Sequence, residues 1–214
     1  MAFLTDQDRQ KIASAITEAE RRTSGELVAV VAQAADDYRY VPLLWPALAA
    51  LLLPALLLTI EPGMGAWPLY LLQAAAFIVL ALLAHLPPVR MALVPASMKR
   101  RRAGRLAREQ FFRQGLHLTR ARTGVLIFVS VAEHYVEIIA DEGINAVVPP
   151  GTWEKAVADF VERVRAGRIA EGFLAMIDAV GTRLSEHFPR AVDDRDELPN
   201  RLIEIEDPPN LGAA

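Results

Sequence analysis

The sequence predicts an α/β fold that is interrupted by a two-helix transmembrane hairpin. Residues 41–89 contain one charged side chain, that of Glu61, and are otherwise rich in leucine and alanine. Valine-rich segments typical of strands lie on both sides of this stretch, at residues 26–34 and 124–140. Amphipathic helical patterns precede and follow these segments. Because the part before the hairpin cannot bury its own apolar surface, we expect one soluble domain into which the hairpin is inserted.

Composition limits the chemistry that the chain can perform. Of its 214 residues, 53% are hydrophobic, which is above the roughly 45–50% typical of soluble proteins. The excess lies almost entirely in the uncharged stretch, so it indicates membrane segments rather than an unusually large core. No cysteine is present, which excludes disulfides, thiolate zinc sites and cysteine nucleophiles.

The first predicted elements are a helix and a strand. A helix is expected over residues 5–22, where Ile12 and Ile16 recur at helical spacing and Thr5 is a suitable N-cap. The valine-rich strand over residues 26–34 follows it directly. This strand needs partners from the later part of the chain, since a single strand cannot form a sheet.

The uncharged stretch predicts two membrane spans, at residues 41–60 and 67–86, within a hairpin over residues 41–88. The first span has 20 uncharged residues and is roughly 30 Å long as a helix, which matches the thickness of a bilayer core. The EPGMGA turn between the spans is too short to hold a domain, so the spans are antiparallel. A buried helix pair in a soluble core is the alternative, and the membrane length of both segments argues against it.

Basic residues flank the spans on one side only and predict their orientation. Arg39 precedes the first span and Arg90 follows the second, whereas the connecting turn has no base. A basic patch follows, consisting of Lys99, Arg100, Arg101, Arg102, Arg105 and Arg108. The excess of bases places both termini and the soluble domain in the cytoplasm. High usage of alanine, arginine and proline suggests a bacterium, so we expect the cell inner membrane.

We interpret the basic patch as a surface for anionic lipid headgroups. Each base close to such a membrane contributes about 1 kcal/mol of attraction. Binding of nucleic acid through its phosphates is the alternative interpretation of a basic run. We expect no nucleic-acid partner, because the position directly after a span already accounts for the charge. The lipid bilayer and another membrane protein are the expected partners, and a homo-oligomer is a further option.

Behind the hairpin, the pattern predicts one helix, two strands and two further helices. The basic helix covers residues 98–119, the strands cover residues 124–131 and 135–140, and the amphipathic helices cover residues 152–165 and 168–188. The soluble domain is therefore discontinuous and comprises residues 1–38 and 95–190. Residues 191–214 form an acidic tail that we expect to be flexible, although residues 202–205 could add an edge strand.

The order of these segments resembles the TPM-domain family, which includes YgcG-like bacterial membrane proteins and a thylakoid lumen protein. The matching segments are TSGELVAVV at residues 23–31, RTGVLIFVSVAEHYVEIIADEGI at residues 122–144 and WEKAVADFVERVRAGRIAEGFLAMIDAVG at residues 153–181. The resemblance implies an α/β sandwich with a central mixed sheet flanked by helices. Some family members are described as phosphatases, some bind a divalent metal at an acidic site near the end of the sheet, and others are accessory proteins of membrane complexes.

An acidic turn after the predicted strand at residues 135–140 is the candidate metal site. Asp141 and Glu142 lie where loops commonly build sites, and Asn145 can add an amide oxygen. Such oxygen ligands suit Ca²⁺ or Mg²⁺. The competing interpretation is a solvated acidic turn, because a metal site needs more oxygen ligands than these three residues supply.

The remaining polar residues indicate no catalytic constellation, and the catalytic residues of any enzyme here are unknown. The four histidines are not spaced as a zinc motif, and no serine lies in a nucleophile elbow. Family members commonly carry a Thr-Asp pair after the strand exit, whereas residues 147–150 read Val-Val-Pro-Pro. We therefore interpret the protein as a membrane-anchored, non-enzymatic binding or accessory module for a membrane protein or complex. The alternative is a divalent-metal-dependent, phosphatase-like hydrolase.

Overall fold

The computed structural model describes residues 4–149, 151–191, 197–199 and 201–206. The chain divides into two compact units. The α/β unit consists of Met1–Ala35 and Arg100–Ala214, and the helical unit consists of Asp36–Lys99. The chain therefore leaves the α/β unit after its first strand and returns to it only after the helical unit has been completed.

Eight α-helices, one 3-10 turn and four strands form within the described residues. In chain order they are α1 (Asp6–Glu20), β1 (Glu26–Ala32), α2 (Val41–Ile60), α3 (Ala66–Ala84), α4 (Pro87–Leu93), α5 (Ala96–Arg113), the 3-10 turn (Leu116–Leu118), β2 (Gly124–Ser130), β3 (Tyr135–Ala140), α6 (Glu142–Asn145), α7 (Glu154–Arg165), α8 (Ile169–His187) and β4 (Leu202–Ile205). The predicted α/β class is confirmed.

The four strands form one mixed sheet in the order β3-β2-β1-β4. Strand β1 runs parallel to β2, with Glu26 opposite Gly124, and parallel to β4, with Ala29 opposite Leu202. Strand β3 pairs with β2 in the antiparallel direction. Every residue of β1 and β2 is buried, as expected for central strands whose two faces are both covered. The predicted mixed sheet is confirmed.

Helices cover both faces of this sheet. On one face, α1, α7 and α8 pack against alternate strand residues such as Leu27, Val31 and Ile127. On the other face, α5 packs against the intervening residues, which include Val28 and Phe128. The alternation of strand side chains between two apolar layers explains why β1 and β2 carry almost unbroken apolar sequences.

The basic helix is shorter than the sequence predicts. It was expected over residues 98–119, but α5 ends at Arg113 and a 3-10 turn follows. Gly115 lies between them with a φ of 75°, a left-handed conformation that glycine adopts readily and that commonly ends helices. The change of direction at Gly115 brings Leu116 into the same apolar layer as Phe111.

The acidic tail contains the fourth strand of the sheet. The sequence allowed an edge strand at residues 202–205 within this tail, and Leu202–Ile205 do form the edge strand β4. Arg9 of α1 holds the strand through two bonds to Glu204, with Nε–Oε1 and NH2–Oε2 distances of 2.5 and 3.1 Å. Residues 192–196, 200 and 207–214 of the predicted tail lie outside the described residues.

In the helical unit, α2 and α3 are both long and apolar enough to cross a membrane. Helix α3 ends at Ala84, two residues before the predicted end of the second span. Pro87 and Pro88 occupy the first turn of the short helix α4, which begins shortly after α3 ends. Proline is tolerated there since the first backbone N–H groups of a helix have no intrahelical partner.

Candidate functional site

The turn after β3 places the three predicted metal ligands close together but gives two of them structural roles. Asp141 is the N-cap of α6, and its Oδ1 accepts a hydrogen bond from the Glu142 backbone N–H at 2.8 Å. The Asn145 side chain donates from Nδ2 to the Ala140 carbonyl oxygen at 2.7 Å. These two side chains therefore stabilise the exit from β3 and the start of α6.

Arg122 is the charged partner of this turn. Its Nε lies 3.5 Å from Asp141 Oδ2, and its NH2 atom lies 3.7 Å from Glu142 Oε2. The Asp141 side chain is 9% exposed and that of Glu142 is 85% exposed. The buried Oδ2 atom of Asp141 accepts no hydrogen bond from the described residues, so the guanidinium is its nearest source of positive charge.

This arrangement does not fit a divalent cation. Ca²⁺ takes about six to eight oxygen ligands, and Mg²⁺ takes about six, of which waters supply several and one or two carboxylates the protein's share. Here the Arg122 guanidinium lies beside both carboxylates, where its charge opposes that of a bound cation. No group of three or more histidine or acidic side chains suited to hold a metal occurs in the described part of the chain.

Two glycines allow the loop before β2 to pack against the end of the sheet. A Cβ atom at Gly124 would collide with the Leu116 carbonyl oxygen, and one at Gly143 would lie 2.6 Å from the Ala121 carbonyl oxygen. Both obstacles are backbone atoms, which cannot rotate away. The close approach of these segments positions Arg122 beside Asp141.

Three buried glutamates also have backbone partners. Glu20 accepts the Leu27 N–H at 2.9 Å, and Glu26 accepts the N–H groups of Glu197 and Leu198 at 2.8 and 3.3 Å. Glu133 accepts the N–H of Ala35 at 3.1 Å with each of its carboxylate oxygens, and it also accepts the hydroxyl of Ser130. A carboxylate that accepts backbone N–H groups stabilises the chain where strands end.

Sequence reasoning singled out Asp141, Glu142 and Asn145 but missed Arg122 and the structural role of Glu133. Arg122 precedes the strand-opening Gly124 in the sequence, yet nothing in that position indicates an ion pair with residues after β3. The antiparallel pairing of β2 with β3 is what places these segments at the same end of the sheet.

Comparison with known proteins bears on the region that contains this site. Residues 88–183 match the family of the TPM domain. The chain contains a TPM domain. The match extends from α4 into α8, so α1, β1 and β4 lie outside the matched residues although they complete the same sheet.

The fold is shared with a solved bacterial protein. The NMR structure of the BA42 protein from the psychrophilic bacterium Bizionia argentinensis sp. nov. superposes with a TM-score of 0.60. The alignment covers 95% of this chain and 96% of that chain, at 21% sequence identity. This similarity shows a common fold. No curated protein matches the chain.

The TPM domain contains an apolar cavity between the β2–β3 turn and α7. Its volume is about 400 Å³. The apolar lining comes from Val129, Val131, Val136, Phe160, Val161, Val164 and Ile169, and the polar lining from Ser130, His134, Tyr135 and Arg165. The cavity lies at the edge of the sheet, because β3 is an outer strand. Its lining is mostly apolar with a few polar groups, a composition that suits an apolar group.

The predicted basic patch lies on α5. Arg100, Arg101, Arg105 and Arg108 are exposed, while the opposite side of the helix is buried against the sheet. This part of the TPM domain therefore presents a positively charged surface. Its interaction with anionic lipids remains a prediction.

Tyr135 lies between the sheet and α5. Its hydroxyl donates to Glu137 Oε2 at 2.8 Å, and a Cβ atom at Gly104 of α5 would lie 3.0 Å from the same hydroxyl. Burial is the main cause that raises the pKa of Tyr135, and the bond to Glu137 raises it further. The phenol of Tyr135 therefore keeps its proton to a higher pH than an exposed tyrosine does.

Proposed function

We propose that this protein is a membrane-anchored, non-enzymatic binding module that supports another membrane protein or complex. The apolar helices α2 and α3 anchor it in the bacterial inner membrane. Both termini and the TPM domain lie on the cytoplasmic side, where the basic residues of α5 face anionic lipid headgroups. The TPM domain provides the surface that the partner recognises.

The observation that carries this proposal is that the buried carboxylates accept backbone N–H groups and so stabilise the fold. Glu20, Glu26 and Glu133 accept backbone N–H groups, and Asp141 caps α6 beside Arg122. The divalent-metal-dependent hydrolysis that forms the alternative needs acidic side chains that are free to bind the metal. In this chain the buried acids instead hold strand ends and turns, which favours a structural scaffold.

The cavity beside α7 supports a specific mode of binding. An apolar side chain of the partner fills it, and the surrounding polar groups orient the partner. A site of this kind predicts that a charge introduced into the lining will block the partner without affecting the core. Val161 of α7 lines the cavity, whereas Ala158 of the same helix is exposed and absent from the lining.

The test is affinity purification of the tagged full chain from native membranes after mild cross-linking. We expect a specific partner to be recovered with the wild-type chain and with Ala158→Arg, and to be lost with Val161→Arg. Thermal unfolding of both variants checks that the fold is retained. Recovery of the same proteins with all three chains would contradict the role of the cavity, and recovery of none would contradict the binding function.

The hydrolase alternative makes a separate prediction that involves Asp141 and Glu142. The buried and unbonded Oδ2 atom of Asp141 is the observation in its favour. Isothermal calorimetry with Mg²⁺ or Ca²⁺, together with hydrolysis of a generic phosphomonoester, compares the wild-type chain with the Asp141→Ala/Glu142→Ala double variant. Metal binding and turnover that the double variant loses would overturn the non-enzymatic proposal.

A further inference from the structure

The second apolar helix carries one strongly polar side chain close to its middle. Gln73 lies two residues before the midpoint of α3 (Ala66–Ala84), which is about 3 Å along the helix axis. If α3 crosses the membrane as in the proposed function, on which this inference rests, the Gln73 amide lies near the centre of the hydrocarbon. Water is absent at that depth, so a polar group there needs a partner supplied by protein.

The surroundings of Gln73 form a shallow cleft between α2 and α3. Its volume is about 340 Å³. The other lining residues are Ala47, Ala50, Leu51, Tyr70, Ala74 and Phe77. Three of these are alanines, and small residues allow the backbone of another helix to approach closely.

The hairpin itself leaves the amide of Gln73 unbonded. Across the whole described range, no hydrogen bond joins Gln73 to another residue. The α2 side chains that line the cleft are those of two alanines and one leucine, which can neither donate nor accept a hydrogen bond. The Tyr70 hydroxyl also lines the cleft but makes no hydrogen bond with this amide in the described residues, so the amide is free to bond a group from outside the hairpin.

We propose that a second copy of this chain packs against the cleft and that the two Gln73 side chains bond to each other. An amide carries both donors and an acceptor, so it is complementary to itself. A two-fold axis brings the same residue of each copy together, and two reciprocal N–H to O bonds then satisfy both side chains. The alanines on the cleft let α3 of each copy come close enough for this contact.

Two other occupants of the cleft, a lipid chain and a helix of a different protein, would have different consequences from the homodimer. A lipid chain could fill the apolar space but offers no partner for an amide. A helix from a different protein could supply a polar group, but it would not bring two copies of this chain together. The self-complementary amide favours the second copy.

The first experiment measures dimerisation of the fluorescently labelled full chain in liposomes by energy transfer. We expect Gln73→Leu to weaken dimerisation roughly 3- to 30-fold, as loss of a hydrogen bond between membrane helices does. Gln73→Asn, which keeps the amide, is expected to retain part of the affinity. Ile78→Leu is the matched control, since Ile78 is exposed on α3 and does not line the cleft. Equal dimerisation of Gln73→Leu and wild type would overturn the proposal.

The second experiment uses the absence of cysteine in the chain. Single cysteines are introduced at Ala74 in the cleft or at Ile78 away from it, and native membranes are oxidised. We expect a disulfide-linked dimer with Ala74→Cys and little with Ile78→Cys. A cross-link from Ala74→Cys only to a different protein, or equal dimer from both positions, would overturn the proposal.

Extraction with alkaline carbonate separates failure of the proposed membrane anchoring from failure of the homodimer. Release of the chain from the membrane contradicts membrane anchoring, whereas a chain that is retained but monomeric contradicts only the homodimer.

Discussion

At the scale of single residues, the glycines beside the Asp141 turn control how closely the loop before β2 approaches the sheet. Gly124 and Gly143 each face a backbone carbonyl oxygen where any other residue would place its Cβ atom. The loop cannot yield by changing a side-chain rotamer. A methyl group added at either glycine can be accommodated only if the backbone moves, and that movement also changes the position of Arg122.

We predict that Gly124→Ala destabilises the protein by roughly 1–3 kcal/mol, as insertion of a methyl group into a packed region does. The measurement is denaturant-induced unfolding of the full chain in detergent, followed by circular dichroism. Gly63→Ala is the control, because a Cβ atom at Gly63 would only reach ordinary contact with Glu61, at 3.8 Å. Equal stability of the two variants would show that the loop tolerates the methyl group.

Tyr135 makes stability depend on pH at the alkaline end. Burial, followed by the hydrogen bond to Glu137, raises its pKa in the folded protein above the ordinary value of 10.0. Unfolding exposes the phenol, which then loses its proton near that ordinary value. The contribution of neutral Tyr135 is therefore complete below about pH 10 and is lost as the pH rises from there toward the folded-state pKa.

We expect the free energy of unfolding of the wild type to fall more steeply above about pH 10 than that of Tyr135→Phe. Unfolding midpoints at several pH values, together with the absorbance of the phenolate, provide the measurement. Tyr70→Phe, which changes a tyrosine of the helical unit, controls for the loss of one titrating group. Parallel pH profiles of wild type and Tyr135→Phe would contradict a raised pKa.

At the scale of elements, β4 is the shortest strand of the sheet and lies at its edge. It has four residues, all half-buried, and among the described strands it pairs with β1 alone. The ion pair between Arg9 and Glu204 ties it to α1. The pair is partly exposed, with side-chain exposures of 35% and 19%, so its contribution is expected to lie near the modest values of surface pairs.

We predict that Glu204→Gln weakens β4 by about 0.2–1 kcal/mol and increases amide hydrogen exchange selectively at residues 202–205. Exchange in β2 is expected to stay unchanged, because β2 lies on the far side of β1. A double-mutant cycle with Arg9→Ala isolates the coupling between the two side chains. Exchange that rises equally across the whole sheet would indicate global destabilisation instead.

The elements also show what sequence patterns can and cannot predict. β1 and β2 were predictable because both of their faces are apolar, and α7 because its apolar residues recur at helical spacing. The register of the strands and the parallel attachment of β4 depend on contacts between distant segments, which no local pattern records. For the same reason Asp141 could be singled out from its position after a strand, whereas its partner Arg122 could not.

At the scale of the whole molecule, the proposed topology predicts that both ends of the chain lie on the same side of the membrane. Single cysteines at Met64, between the two spans, and at Glu186, in α8, test it in the cysteine-free chain. A membrane-impermeant maleimide added to spheroplasts is expected to label Met64→Cys at once and Glu186→Cys only after permeabilisation. The reverse pattern would contradict the cytoplasmic location of the TPM domain.

The position of β1 in the sheet also determines when the protein can fold during synthesis. β1 is complete at Ala32, yet its neighbours β2 and β4 begin only at Gly124 and Leu202. At about 5–20 residues per second, the ribosome needs on the order of 5–20 s to reach the first of these neighbours. A strand that is apolar except for Glu26 thus waits unpaired while α2 and α3 emerge. We therefore predict that, in the proposed membrane-anchored protein, the yield depends more on chaperones that shield the nascent chain and on early delivery of the ribosome to the membrane than on the stability of the finished fold.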